Sequence, residues 1–254
     1  MKKFRKFLSS PKATAVIFGA AVALLLFSSI GGARAALTVY SQIHETEIAT
    51  DHIAVALLET DGNGDSKEVA LDNEAAEGTT EVRKLSLDVL KDENGNPEMI
   101  AGRSYPEVLS VRNTGEIDQY TRVTIYKYWV DSVEKKTPVK SLWPGYIELT
   151  LADGWVVDTA ASTPERTVIY YKNILETGET KDFVTSMKID PEVAKLEGGK
   201  EYQGYSIRIE VNVDAVQTHH AADAIKSAWG CNVVNGSTAD EYGVLQTLEF
   251  NFGE

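Results

Sequence analysis

Cysteine is nearly absent from this chain of 254 residues, since Cys231 is the only one. No intramolecular disulfide can form, so the fold must be held by its core or by assembly with neighbours. We interpret Cys231 as a small buried hydrophobe or an incidental thiol, and an intermolecular bridge is the alternative.

The familiar catalytic motifs are also missing. Neither the zinc-binding H-E-x-x-H nor the nucleophile elbow G-x-S-x-G occurs. The histidines are few, and His219 and His220 are adjacent, so on a helix they would point about 100° apart and would not readily share an ion. We therefore predict a protein that is not an enzyme and requires no cofactor.

The chain begins with a basic head, continues into an apolar run and reaches small residues at Ala33 and Ala35. This order is typical of a secretory signal peptide, so we predict a signal helix within residues 1–35 and cleavage before Ala36. An uncleaved membrane anchor is the alternative. On the first interpretation, the protein would contact the membrane only through the signal peptide and only before cleavage.

Positive charge is scarce in the rest of the chain. Removing residues 1–35, which carry six Lys or Arg and no acid, changes the formal charge from −13 to −19. This acidity argues against nucleic acid and anionic membrane surfaces as partners, and it suits an exported protein.

The clearest pattern lies at residues 205–215, where odd positions are apolar and even positions polar. A period of two predicts a strand with one buried face, which needs a second layer of structure. Other apolar runs, some alternating and one continuous at 53–58, predict further strands at 37–43, 53–58, 85–89, 109–111, 123–129, 147–151, 155–157, 168–171, 183–189 and 244–252.

The turns and helices complete the prediction of one domain over residues 36–254. Asp153-Gly154 predicts a hairpin between 147–151 and 155–157. Short helices are predicted at 191–196 and 218–229, the second capped by Thr218 and ended by Gly230. Many strands without a βαβ rhythm indicate an all-β, antiparallel sandwich.

Residues 61–81 are predicted to be a loop insertion, because they are acidic and rich in turn residues. Within it, Asp61, Asn63 and Asp65 alternate as Ca²⁺ ligands can. An EF-type loop would then need Gly and Glu where Ser66 and Asp72 stand. A plain acidic turn is the alternative.

Aromatic residues are frequent on the middle strands, and they predict either cross-strand packing or a surface for a carbohydrate or a partner. They are Tyr120, Tyr126, Tyr128, Trp129, Trp143 and Trp155.

The tract at residues 100–115 combines with the export signal and the late strand in a resemblance to the TasA/camelysin family of exported bacterial proteins. That family commonly shows Pro-Gly-Asp, an alternating strand, an Asn-x-Gly turn and a further strand. Here Asn113-Thr114-Gly115 supplies the turn, whereas Ala101-Gly102-Arg103 replaces Pro-Gly-Asp.

The resemblance implies a jelly-roll-like sandwich, a SipW-type signal peptidase as processing partner, and fibres in the extracellular biofilm matrix or at the cell surface. In such homopolymers the freed N-terminal segment completes the sheet of the next subunit, alongside other matrix proteins. Here Leu37, Val39, Tyr40 and Ile43 would form that strand. Pairing of this segment within its own domain is the alternative, and a camelysin-type metallopeptidase or an adhesin-like module are alternative functions.

Overall fold

Strands dominate the chain in this computed structural model, which describes residues 52–61, 63–70, 83–90, 99–131, 138–195, 204–234 and 239–252. The predicted signal peptide at 1–35 and the predicted strand at 37–43 lie outside the described residues. Residues 51–254 form one compact unit.

The described residues contain many strands and few helices. In chain order they are β1 (Val55–Thr60), β2 (Ser66–Glu68), β3 (Arg83–Lys84), β4 (Ser104–Tyr105), β5 (Val108–Asn113), β6 (Gln119–Asp131), β7 (Ile147–Leu151), β8 (Trp155–Val157), β9 (Arg166–Tyr171), β10 (Thr180–Ile189), β11 (Tyr205–Gln217), β12 (Asn232–Val233) and β13 (Phe250–Asn251). The helices are α1 (Glu192–Lys195) and α2 (Ala221–Trp229), with 3-10 turns at Asp88–Leu90 and Pro144–Tyr146.

The first sheet has the order β2-β1-β5-β10-β7, and every pair in it is antiparallel. Strand β4 also pairs with β10, opposite Met187 and Lys188. Because Met187 lies between Tyr105 of β4 and Leu149 of β7, strand β4 continues the line of β5 along the same side of β10. The short gap between β4 and β5 is occupied by Pro106 and Glu107.

The second sheet has the order β3-β11-β6-β9-β8. Strands β11 and β6 pair along 13 residues, from Tyr205 opposite Asp131 to Gln217 opposite Gln119. The predicted strand at 205–215 is confirmed, since its odd positions Ile209, Val211 and Val213 are buried. Strands β12 and β13 form a separate pair.

The core lies between the two sheets and is built from the inward positions of both. Its fully buried members include Leu57, Leu109, Val111, Val123, Ile125, Trp129, Ile147, Ile169, Phe183, Met187, Ile209 and Val211. Burial of such side chains from water is the main favourable contribution to folding. The all-β, antiparallel sandwich with short helices is thus confirmed.

A smaller cluster covers the opposite face of the second sheet at one end. Tyr120 and Val216, which point away from the main core, pack there with Ala221 and Ile225 of α2 and with Leu245 and Leu248. Helix α2 therefore closes the outer face of β6 and β11.

The predicted hairpin at Asp153-Gly154 is wrong. Strand β7 before it pairs with β10 in the first sheet, whereas β8 after it pairs with β9 in the second. Gly154, with φ of +90°, lies in a turn that carries the chain from one layer to the other. A tight turn therefore gave no information about which strands pair.

Two further boundaries differ from the prediction. The predicted strand at 85–89 is wrong, because the strand of this segment is Arg83–Lys84, just before it. Leu87, with φ of +50°, leads into the 3-10 turn at Asp88–Leu90. Thr218 does not cap α2, because β11 continues to Gln217 and the helix begins at Ala221 after His220, a left-handed residue. Gly230 does end α2, also in the left-handed region.

The predicted loop and C-terminal strand are each correct only in part. Ser66–Glu68 form β2 and pair with β1, so the loop interpretation of 61–81 is wrong for these residues, while 71–81 lie outside the described part. Within 244–252 only Phe250–Asn251 form a strand. The rest is irregular because it wraps over α2 and β6 rather than joining a main sheet.

Candidate functional site

Asp61 begins the turn between β1 and β2 and caps it with its own carboxylate. Oδ1 accepts hydrogen bonds from the amides of Asn63 at 2.9 Å and Asp65 at 3.0 Å, while Oδ2 lies 3.3 Å from Nζ of Lys67. These amide donors, with Lys67, lower the pKa of Asp61. The geometry is that of a capped acidic turn, and Ca²⁺ binding stays a prediction.

The other predicted site residues divide into two groups. The cleavage and assembly residues lie outside the described part of the chain: Ala33, Ala35, Ala36, Leu37, Val39, Tyr40 and Ile43. Of the aromatic residues, Tyr120 and Trp129 are fully buried, and Trp155 packs against Tyr171 and Phe183. Packing accounts for these three, while Trp143 is 52% exposed.

The outer edge of β11 is covered only in its middle by the described residues. Lys84 and Arg83 pair with Glu210 and Val211, and the amide of Leu85 donates to the carbonyl of Ile209 at 3.1 Å. Since backbone groups alternate between the two sides of a strand, the odd-numbered residues of β11 direct their N–H and C=O groups to this edge. An unpaired edge of this kind is a template for a further strand.

A carboxyl group lies in the core at the break between β4 and β5. Pro106 interrupts the strand, and the amide of Glu107 donates to the carbonyl of Tyr105 at 2.8 Å. Glu107 has the parity of the core residues Leu109 and Val111, so its side chain points inward. It has no exposed surface, and neither carboxyl oxygen has a hydrogen-bond partner in the described structure.

Glu59 stands beside this group on the neighbouring strand. It lies opposite Leu109, with the same parity as the core residue Leu57, so Glu59 and Glu107 are diagonal neighbours on one face. Its carboxylate accepts hydrogen bonds from the amide of Ser86 at 2.9 Å and the amide of Leu87 at 2.7 Å. Glu59 thereby joins β1 of the first sheet to the segment that follows β3 of the second.

The hydroxyl of Ser86 adds a third donor at this place. Its Oγ lies 3.0 Å from Oε2 of Glu59 and 3.1 Å from Oδ2 of Asp88, so its one proton serves either acid. A cleft of about 430 Å³ opens next to the group, between the β1–β2 turn and residues 84–88, and Glu59, Lys67, Lys84 and Asp88 are among its lining residues.

Burial is the largest of the causes that raise the pKa of Glu107 to about 8, and the neighbouring carboxyl groups of Glu59 and Asp88 supply the rest of the shift. Glu107 therefore binds its proton more tightly than an exposed glutamate does. The sequence signal for this residue is its parity with Leu109 and Val111, which places an acid in an inward position. That signal was missed, because the break at Pro106 hides the alternation.

In the described ranges, no three His, Cys, Asp or Glu side chains come together as a group that could hold a metal ion. None of the described helices is long and apolar enough to cross a membrane. Comparisons with protein-family models, curated proteins and solved structures find no match for this chain.

Proposed function

We propose that this protein is a secreted structural subunit of a bacterial extracellular matrix, which assembles into fibres by addition of a strand from one subunit to the sheet of the next. The observation that carries the proposal is the outer edge of β11. Among the described residues only 83–85 bond to this edge, which belongs to a strand of 13 residues.

The donor in this proposal is the segment 37–43. Its alternating residues Leu37, Val39 and Ile43 would fill pockets and set the register, with Tyr40 on the opposite face. Main-chain hydrogen bonds to the edge would give the affinity. A head-to-tail contact of this kind does not close on itself, so it produces filaments.

The acidic composition supports export rather than binding to a polyanion. A mature charge of −19 makes like-charged subunits repel one another, so acid or salt should promote assembly. The resemblance to TasA/camelysin proteins supports the same role, with a SipW-type signal peptidase and other matrix proteins as partners. Neither a cofactor nor a catalytic step is required.

Electron microscopy of a truncated protein tests the donor. A mature protein that lacks residues 36–44 should stay folded, by circular dichroism, but should form no filaments under conditions in which the complete mature protein does. Filaments of ordinary length and number from the truncated protein would refute the proposal.

A proline at Ala215 tests the acceptor edge. By the alternation along β11, the N–H of Ala215 points to the outer edge, so Ala215→Pro removes one donor from that edge and leaves the bonds to β6 in place. The matched control Ala215→Val keeps the N–H. We expect filaments from the control and not from the proline variant, with both proteins folded. Equal filament formation would show that this edge is not the acceptor.

A further inference from the structure

Two acids, Glu59 and Glu107, face the core from neighbouring strands of the first sheet. Glu59 also accepts hydrogen bonds from residues 86 and 87, in the segment that follows β3 of the second sheet. We propose that this pair holds a single proton, and that the proton keeps residues 83–90 attached to the sandwich. The inference does not depend on fibre assembly.

The surroundings of Glu107 do not suit a charge. Its side chain is removed from water, and neither oxygen has a hydrogen-bond partner in the described structure. An ionised carboxylate without such partners is costly in a protein interior, and a second carboxylate beside it raises the cost. The geometry thus requires that the pair carry no more than one negative charge.

The hydrogen bonds decide which of the two acids is charged. Glu59 accepts from the amides of Ser86 and Leu87 and lies within reach of the Ser86 hydroxyl, and such donors stabilise a carboxylate. Glu107 has none of these donors. The proton therefore resides on Glu107, and the negative charge on Glu59.

The charged groups around the pair offer no compensating cation. The groups that act on Glu107 are Glu59 of β1 and Asp88 of the 3-10 turn, and both are acidic. Lys67 and Lys84 border the adjoining cleft, and Lys67 lies 3.3 Å from Asp61. Burial and the two acids raise the pKa of Glu107 to about 8.

Loss of the Glu107 proton to solvent base weakens the hydrogen bonds that Glu59 accepts from Ser86 and Leu87. A second negative charge then lies beside Glu59 in a site that excludes water, so the two carboxylates separate or admit water. Either movement weakens the bonds to Ser86 and Leu87. Leu87 has φ of +50°, an uncommon conformation for a branched side chain, and it relaxes when these bonds are lost.

Hydrogen exchange of the Ser86 and Leu87 amides tests the proposal in the purified protein. After correction for the base-catalysed intrinsic rate, protection of these amides should fall by about tenfold between pH values well below and one unit above the pKa of Glu107. In Glu107→Gln, which stays neutral and keeps its shape, protection should not change with pH. The matched control Glu249→Gln alters an exposed acid and should behave as the wild type does.

Two results would overturn the proposal: constant protection in the wild-type protein across this range, or the same fall in Glu107→Gln. If Glu107→Gln does not fold, carboxyl ¹³C shifts of the wild-type protein give the answer directly. One glutamate should then titrate far above its ordinary range, and titration of every glutamate near the ordinary value would contradict the shared proton.

Discussion

The hydroxyl of Tyr120 donates a 2.7 Å hydrogen bond to the carbonyl of Leu245 and accepts a 2.9 Å bond from the amide of the same residue. All three groups are buried, and both residues belong to the cluster beneath α2. One side chain on β6 thus satisfies both backbone groups of a residue in the irregular C-terminal segment.

Replacement of Tyr120 by phenylalanine should therefore destabilise the protein. The variant keeps the ring but leaves a buried N–H and a buried C=O of Leu245 without partners, and we expect a loss of about 1–3 kcal/mol in the free energy of unfolding. Denaturation with guanidinium chloride measures this loss in the free energy of unfolding. The control Tyr242→Phe removes a hydroxyl from a residue that is 58% exposed and should change little. Equal stability of the two variants would show that the Tyr120 bonds contribute nothing.

The raised pKa of Glu107 predicts how stability depends on pH. The unfolded chain releases this proton near the ordinary value of 4.5, whereas the folded protein keeps it to about 8. Between these values the folded state binds one proton more, so its stability falls as pH rises, by about 1.4 kcal/mol per pH unit from this group. The stability that depends on this proton is fully present below pH 4.5 and is lost above about pH 8.

Glu107→Gln should remove this slope. Urea denaturation at a series of pH values would show a flatter dependence in the variant than in the wild-type protein, because glutamine does not titrate. The exposed control Glu249→Gln should keep the wild-type slope. Parallel curves for all three proteins would mean that Glu107 ionises normally in the folded state.

The Asn-x-Gly turn predicts a third outcome. The side chain of Asn113 donates to the carbonyls of Ile117 and Leu175 and accepts from the amide of Gly115. A Cβ at Gly115 would lie 2.3 Å from the carbonyl oxygen of His52 and 2.8 Å from the amide nitrogen of Ala54. Because both contacts are backbone, Gly115→Ala should lower the free energy of unfolding by about 1–3 kcal/mol.

Thermal unfolding followed by circular dichroism measures this effect. The neighbouring variant Thr114→Ala changes an exposed side chain in the same turn and serves as the control. A midpoint for Gly115→Ala within error of the control would show that the segment at 52–54 moves aside without cost.

The strands were predictable from the sequence where one face is buried and the other is exposed to solvent. In β11 the odd residues Ile209, Val211 and Val213 enter the core, and the period of two is visible in the sequence alone. The fold class follows from several such runs, because the apolar faces of the strands must pack against one another to be removed from water.

The pairing of strands was not predictable in the same way. Asp153-Gly154 reads as a hairpin turn, but the choice between β8 and β10 as partner of β7 depends on packing between distant residues. Glu59 and Glu107 are likewise 48 positions apart in the chain, so their proximity exists only after β1 and β5 have paired. Secondary-structure propensity also cannot predict that the Glu59 carboxylate accepts hydrogen bonds from the amides of Ser86 and Leu87.

The full-length pairing of β6 with β11 also has a consequence for biosynthesis. The two strands of this ladder are separated in the chain by the four strands β7 to β10, so synthesis must pass residue 217 before the second sheet can be completed. Until then, among the strands that the structure describes, β6 pairs with β9 alone, from Arg122 to Tyr126. A pairing between strands so far apart in the chain closes a large loop, so we expect this ladder to form late in folding.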